Sequence, residues 1–138
     1  MFGERIPKRF TDLVPEAERF PARELSLVDS LTTPVRIDEG RVLMREGTPG
    51  SEALFILEGE VVVEREGEAV AVLGPGSIVG EAALLTNQPR NATVTAASEV
   101  VAVAMTRREF STILDSCPTV ARAILQTAVE RASEDTVA

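Results

Sequence analysis

Two charged side chains, Glu81 and Arg90, stand nine residues apart in a stretch of chain that carries almost no other charge. Between residues 71 and 106 the charged side chains are those of Glu81, Arg90 and Glu99. Such sparseness indicates burial. Arginine can donate a fork of hydrogen bonds to an anion, and a glutamate can accept one from a hydroxyl. The alternative is a purely structural role. Glu81 would then be an acidic residue in the first turn of a helix, stabilised by the helix dipole, and would form an ion pair with Arg90.

The residues around Glu81 could supply the other parts of an anion site. Those after Gly80 favour helix by composition, and Pro89 ends it within two turns. The first amides of such a helix have no partner within it, and the small side chains of Ala82 and Ala83 leave their amides accessible. Gly80 permits a sharp bend or the close approach of a ligand. A phosphate beside a ribose hydroxyl would suit the arginine, the amides and the glutamate together.

Short β runs separated by glycines surround this segment and must position it. Glu66-Gly67, between two β-branched runs, predicts a tight hairpin. Many short strands at regular spacing predict a mainly β fold, a double-stranded β-helix or jelly-roll-like β-roll. The strand candidates are Val35–Ile37, Val42–Arg45, Ala53–Leu57, Glu60–Arg65, Glu68–Leu73, Ala92–Ala97 and Val100–Met105.

Helices are expected at both ends of the roll. Four prolines within residues 1–34 limit that region to short helices and loops, with one helix around Ala22–Ser30. After the roll, Thr106 and Glu109 form a capping-box pattern that starts a helix. Pro118 suits the first turn of a second helix, which is expected to run to about Ala132. The apolar stripe of that helix comprises Val120, Ile124 and Ala128.

Length and composition bound the organisation of the chain. Its 138 residues predict a single domain over 1–138, with an N-terminal helical and loop region at 1–34, the β-roll at 35–105 and C-terminal helices at 106–132. No apolar run approaches the ~18 residues of a membrane span, and the first residues have no secretory pattern. We therefore expect a cytoplasmic protein that does not contact membranes.

The net charge and the amino-acid composition argue against several functional classes. The net charge of −8 disfavours nucleic-acid binding, which depends on basic surfaces. The chain has no histidine and one cysteine, Cys117. It therefore lacks the commonest metal ligand, the commonest general base and the means for an internal disulfide. We expect no metal site, no catalytic residues and no enzymatic activity.

Around Gly80 the sequence resembles the cyclic-nucleotide-binding domain family. The phosphate-binding cassette of that family reads Gly-Glu, a short apolar helix, then Arg, small residues and a strand. Here the pattern stands as Gly80-Glu81-Ala82-Ala83-Leu84-Leu85 and Pro89-Arg90-Asn91-Ala92-Thr93-Val94, and the nine-residue step from Glu to Arg matches. Val42–Gly47 and Phe55–Val63 look like the family's β-roll signature. The resemblance covers residues 35–132, and residues 74–96 are called the cassette below.

The resemblance implies a role for each matching residue. Arg90 would pair with the exocyclic phosphate oxygens, and Glu81 would hold the ribose 2′-OH. The amides of Ala82, Ala83 and Asn91 would complete the phosphate cradle, and Gly80 would permit the turn. The candidates to pack the sugar and base are Val62, Ile78 and Val79.

The implied function is that of a regulatory signalling module that binds a cyclic purine mononucleotide and repositions its C-terminal helix. Asn91 stands where family members carry Ala, Ser or Thr, and a hydroxyl there is associated with cGMP, so cAMP is favoured over cGMP. No cofactor is expected besides this nucleotide ligand. The sequence leaves open whether the domain also forms a homodimer or binds an unidentified effector protein.

Two rival functions belong to other classes. One is a protein-interaction module with a vestigial, non-binding nucleotide pocket, which nucleotide titration would separate from a sensor. The other is a fragment of a transcription factor, although the few residues after the last helix leave no room for a helix-turn-helix.

Overall fold

The computed structural model describes the backbone of residues 3–137 and the side chains of residues 3–127, 129 and 130. Its strands form two antiparallel sheets, and helices lie at both ends of the chain, so the predicted mainly β fold is confirmed. The strands are β1 Glu4–Arg5, β2 Thr33–Ile37, β3 Val42–Met44, β4 Glu52–Glu58, β5 Val61–Arg65, β6 Glu68–Leu73, β7 Ile78–Val79, β8 Thr93–Ala96 and β9 Val100–Thr106.

The helices flank the strands in the chain order that was expected, with one short helix inserted between β7 and β8. They are α1 Phe10–Leu13, α2 Ala22–Leu31, α3 Glu81–Thr86, α4 Arg107–Ser116 and α5 Pro118–Val137, and a 3₁₀ turn covers Ala17–Arg19.

The order of strands brings distant parts of the chain side by side. One sheet has the order β1-β2-β9-β4-β7, and the other has the order β3-β8-β5-β6. Because β7 is the edge strand of the first sheet, the segment that follows it leaves the sheet directly into α3. The chain then returns as β8 in the second sheet. The cassette therefore bridges the two sheets.

The conformation of the turn between β5 and β6 is set by its two central residues. Glu66 has a φ of 54° and Gly67 has a φ of 82°. Two consecutive residues with positive φ are typical of a type I′ turn, whose twist matches that of the flanking strands. The predicted hairpin at Glu66-Gly67 is confirmed, with Arg65 and Glu68 paired across it.

Two apolar cores share the first sheet. Inside the roll, residues of both sheets pack together, among them Ile37, Leu54 and Val61. On the outer face, Val103 and Met105 of β9 pack in a second cluster that includes side chains of α2, α4 and α5. This two-sided burial explains why β9 reads as a continuous apolar run rather than an alternating one.

The start of α4 confirms the predicted capping box. Thr106 Oγ1 accepts a hydrogen bond from the Glu109 amide at 3.2 Å, and Glu109 Oε1 accepts one from the Thr106 amide at 2.9 Å. These two bonds satisfy amides that the helix itself leaves without partners. The position of α4 after the roll is therefore encoded within four consecutive residues.

The structure differs from the sequence-based expectation at three places. Strands β1 and β7 were not predicted, because two residues are too few to show a period of two. Helix α5 continues to Val137 instead of ending near Ala132. Of its predicted stripe, Val120 is fully buried and Ile124 packs on the outer cluster, whereas Ala128 lies outside the described side chains.

Candidate functional site

Gly80 forms the junction between β7 and α3. Its φ is 85°, a left-handed conformation that favours glycine, and it occupies the N-cap position of α3. A Cβ atom there would lie 2.5 Å from both Arg90 Nη1 and Met44 Cε. The predicted sharp bend at this glycine and the short helix after it are both confirmed.

Arg90 is buried at the return of the cassette to the sheet, with 7% of its surface exposed. Its Nη1 donates to the carbonyl of Gly80 at 2.9 Å, and its Nη2 donates to the carbonyl of Glu52 at 2.7 Å. Its backbone amide donates to the Thr48 carbonyl at 2.8 Å, and its own carbonyl accepts from the Gly47 amide at 2.8 Å. Main-chain groups from β4, the loop before it and the N-cap of α3 thus fix both the backbone and the guanidinium.

Glu81 faces the same site and is half-buried. Burial raises the pKa of its carboxyl group, although its own backbone amide and the charge of Arg90 act in the opposite direction. Burial likewise lowers the pKa of the Arg90 guanidinium, against the charges of Glu52 and Glu81. Glu81 and Arg90 form no ion pair in the described part of the chain, so the structural ion-pair interpretation gains no support. Ionisable groups perturbed in this way are concentrated at functional sites.

One cavity brings together most of the residues singled out from the sequence. Its wall combines the start of α3, the return strand and the end of β7. Eight of the nine predicted residues line it: Ile78, Val79, Gly80, Glu81, Ala82, Ala83, Arg90 and Asn91. Residues from both ends of the cassette therefore face a common space.

The ninth residue, Val62, does not line this cavity. Along β5, Val61 and Val63 are buried inside the roll, whereas Val62 is half-buried and paired with Val72 on the other face. Because side chains alternate along a strand, the residue that reaches the cavity is its neighbour Val63. The structure therefore places Val63, one residue along β5 from the predicted Val62, at the cavity wall.

The cavity has six further lining residues that sequence reasoning missed. Val63 and Val94 could have been found from the alternation of their strands, since both point into the roll. Met44 and Leu73 come from other strands and carry no such signal. Arg65 adds a second guanidinium to the wall, and its Nε donates to the Asn91 carbonyl at 3.2 Å. The complete set is Met44, Val63, Arg65, Leu73, Ala92 and Val94.

The site offers groups for an organic anion. Arginine donors and the N-terminal amides of a helix suit a phosphate, and apolar walls suit a ring system. No cluster of three or more His, Cys, Asp or Glu side chains that could hold a metal ion occurs among the described residues. Across the same residues, no helix combines the length and apolar character needed to cross a membrane.

Comparison with known sequences identifies relatives of the whole segment that contains the site. The family model for the cyclic nucleotide-binding domain matches residues 34–117. A cyclic nucleotide-gated potassium channel of Rhizobium etli is 35% identical over 118 residues, which cover 86% of this chain and 33% of the channel. The chain spans about a third or less of the length of the curated relatives it matches.

Solved structures share the arrangement of strands and helices. A cyclic nucleotide-binding domain from Methylobacillus flagellatus has a TM-score of 0.68 at 25% identity, covering 83% of this chain and 67% of that one. The regulatory domain of Toxoplasma gondii PKA, crystallised with cAMP, has a TM-score of 0.62 at 33% identity, covering 70% of this chain and 38% of that one.

Proposed function

Because the chain belongs to the cyclic nucleotide-binding domain family, we propose that it binds a cyclic purine mononucleotide, with cAMP favoured over cGMP, as a regulatory sensor. The observation that carries the proposal is the buried side chain of Arg90, which lines one cavity together with Glu81 and the first residues of α3. The co-crystallised Toxoplasma relative supports cAMP as the nucleotide.

Arg90 would bind the phosphate with donors that the fold leaves available. The carbonyls of Gly80 and Glu52 use two of its N–H groups. An arginine side chain has five such donors, so three are left for the exocyclic oxygens of a phosphate. The existing bonds hold the guanidinium in place, which reduces the ordering that binding would require.

The remaining roles divide between the two ends of the cassette. Glu81 would accept a hydrogen bond from the ribose 2′-OH, which would also compensate its burial. The amides of Ala82, Ala83 and Asn91 would complete the phosphate cradle. Ile78 and Val79, with Val63 in place of Val62, would pack against the sugar and base.

The preference for cAMP is proposed from Asn91. Its side chain replaces the hydroxyl that the family resemblance associates with cGMP, and an amide offers both a donor and an acceptor. Nothing in this arrangement favours guanine over adenine through a hydroxyl, so adenine is the proposed base.

The rest of the proposal follows from a binding role. The domain would act as one unit in the cytoplasm, with no catalytic residue and no cofactor other than the nucleotide, and it would not bind nucleic acid. It would signal by repositioning α4 and α5 toward a second copy or an effector protein. Helix α4 ends at Ser116 and α5 begins at Pro118, so Cys117 alone forms the joint, and short joints can absorb a rotation.

Calorimetric titration with cAMP and cGMP tests the proposal. We expect saturable binding of cAMP that is tighter than binding of cGMP. Arg90→Ala should weaken binding by ~2–5 kcal/mol, because it removes a charged partner of a desolvated phosphate. The control is Arg108→Ala, which removes an exposed arginine that does not line the cavity. If millimolar cAMP and cGMP both fail to bind the unaltered chain, the sensor function is refuted in favour of a vestigial pocket.

A further inference from the structure

Arg107, the first residue of α4, reaches from the helices back to the cassette. Its Nη1 donates to the Leu84 carbonyl at 2.5 Å, and its Nη2 donates to the carbonyls of Ala83 and Gly50 at 3.3 Å each. Its backbone amide donates to the Ser51 carbonyl at 3.1 Å. Through this one residue, α4 is attached both to α3 and to the loop before β4.

The attachment to α3 has a clear physical basis. The last carbonyl groups of a helix have no partner within the helix, and a cation near them interacts favourably with the helix dipole. In a helix as short as α3, such carbonyls are close to the amides that face the cavity. The planar fork of an arginine can bond several carbonyls at once, which the single ammonium of a lysine does less well.

The loop before β4 provides a second connection, which leads to Arg90. A Cβ atom on Gly50 would lie 2.7 Å from Arg90 Cζ and 2.8 Å from Ala83 Cβ. The backbone of Gly50 therefore packs directly against the guanidinium, while its carbonyl accepts from Arg107. A displacement of Arg90 or of α3 would reach Arg107 through contacts that are already formed.

We propose that Arg107 couples occupancy of the cassette to the position of α4 and α5. This positioning role rests on the proposed binding of a cyclic nucleotide. When a phosphate draws α3 and Arg90 together, Arg107 transmits the shift to α4. Helix α4 carries Phe110 and Ile113 into the outer core, where they pack with Val120 of α5. A ligand can bias these helices only through contacts that differ between its bound and free states, and Arg107 would make contacts of that kind.

Hydrogen exchange with and without millimolar cAMP tests the coupling. In the unaltered chain we expect slower exchange in the cassette and altered exchange in α4 and α5. Arg107→Gln should keep the cassette response and lose at least about half of the response in α4 and α5. The matched control is Arg108→Gln, at the next residue of α4, which should respond like the unaltered chain.

A conservative variant and a stability measurement separate coupling from simple destabilisation. Arg107→Lys should restore part of the helix response, because a lysine can still bond one carbonyl. Melting curves without nucleotide measure the stability that Arg107→Gln loses with its hydrogen bonds to three carbonyls, and exchange is compared at a temperature at which every variant is fully folded. Equal helix responses in Arg107→Gln and Arg108→Gln would overturn the proposal.

Two results in the unaltered chain distinguish this proposal from the one it rests on. If the cassette responds to cAMP and α4 and α5 do not, the coupling is wrong and nucleotide binding stands. If neither cAMP nor cGMP changes exchange in the cassette, binding itself fails and the coupling fails with it.

Discussion

At the scale of single residues, the site contains two charged side chains whose burial disfavours the charged form of each. Glu81 and Arg90 line one cavity. Burial raises the pKa of the Glu81 carboxyl group and lowers the pKa of the Arg90 guanidinium, and both shifts favour the neutral form. The folded chain without ligand therefore retains an unfavourable electrostatic arrangement. Sites that are kept for binding commonly reduce stability in this way.

Glu81→Gln should separate stability from binding. The folded-state pKa of Glu81 is raised, so its ionised form costs stability at pH values above the unfolded-state pKa. Removing the charge should leave the melting temperature at pH 7 unchanged or higher. Binding of cAMP should weaken by about 1.5–3 kcal/mol, the range for a hydrogen bond to a charged group. Thermal melting and calorimetric titration measure the two effects.

A 2′-deoxy analogue of cAMP identifies the partner of Glu81. It should bind the unaltered chain poorly, because it lacks the hydroxyl from which the Glu81 carboxylate is proposed to accept a hydrogen bond. The difference between cAMP and the analogue should shrink in Glu81→Gln. Equal binding of both nucleotides by the unaltered chain would show that Glu81 has only a structural role.

At the scale of elements, α2 controls how α5 begins. Glu24 of α2 is 4% exposed, and its Oε1 accepts from the amides of Thr119 and Val120 at 2.9 and 3.0 Å. Burial raises the pKa of this carboxyl group, but the hydrogen bonds from Val120 and Thr119 outweigh burial and hold the pKa below its usual value. A carboxylate from another helix thus caps α5, whose own first residue, Pro118, has no side-chain acceptor.

Glu24→Gln should therefore have a pH-dependent effect on stability. Since the folded-state pKa is lowered, the carboxylate stabilises the fold at pH values above its unfolded-state pKa. That contribution is lost as the pH falls through the folded-state pKa. We expect the variant to melt below the unaltered chain at pH 7 and the gap to close in acid. Melting curves from pH 7 to about pH 3 measure this gap.

Glu18→Gln is the control for the cap, because Glu18 is an exposed glutamate of the N-terminal region. It should shift the melting temperature little at any pH. A gap for Glu24→Gln that does not change between neutral and acid pH would contradict the assignment of the effect to the charge of Glu24.

At the scale of the whole molecule, the first sheet is a shared wall between two cores. The inner core packs the two sheets together, and the outer core joins the first sheet to the helices. Leu84 of α3 belongs to the outer core, whereas Val79, just before α3, belongs to the inner one. The cassette is therefore anchored in both cores.

The overall charge predicts that this chain does not bind duplex DNA specifically. Its net charge of −8 opposes the phosphate contacts that supply most of the affinity of DNA-binding proteins. Fluorescence anisotropy with labelled duplexes should show no binding at about 200 mM salt, with or without cAMP. A sequence-specific complex that survives this salt concentration would contradict the prediction.

The sequence alone determined the features that depend on neighbouring residues. The hairpin at Glu66-Gly67, the capping box of Thr106 and the turn at Gly80 were predicted and confirmed. Each follows from the backbone preferences or hydrogen bonds of residues within four positions of one another. The cassette was recognisable for the same reason, because its residue types and spacing lie in one continuous segment.

Only the tertiary structure decided which distant groups meet. Arg90 bonds a carbonyl 38 residues away, Arg107 bonds one 57 residues away, and Glu24 caps amides up to 96 residues away. The acceptors or donors in these contacts are main-chain carbonyl or amide groups, which do not depend on the side chain and therefore leave almost no mark in the sequence. The phase of β5, which places Val63 rather than Val62 at the cavity, likewise depends on how the two sheets face each other. Local residue chemistry specified the cassette, and long-range packing specified what holds it.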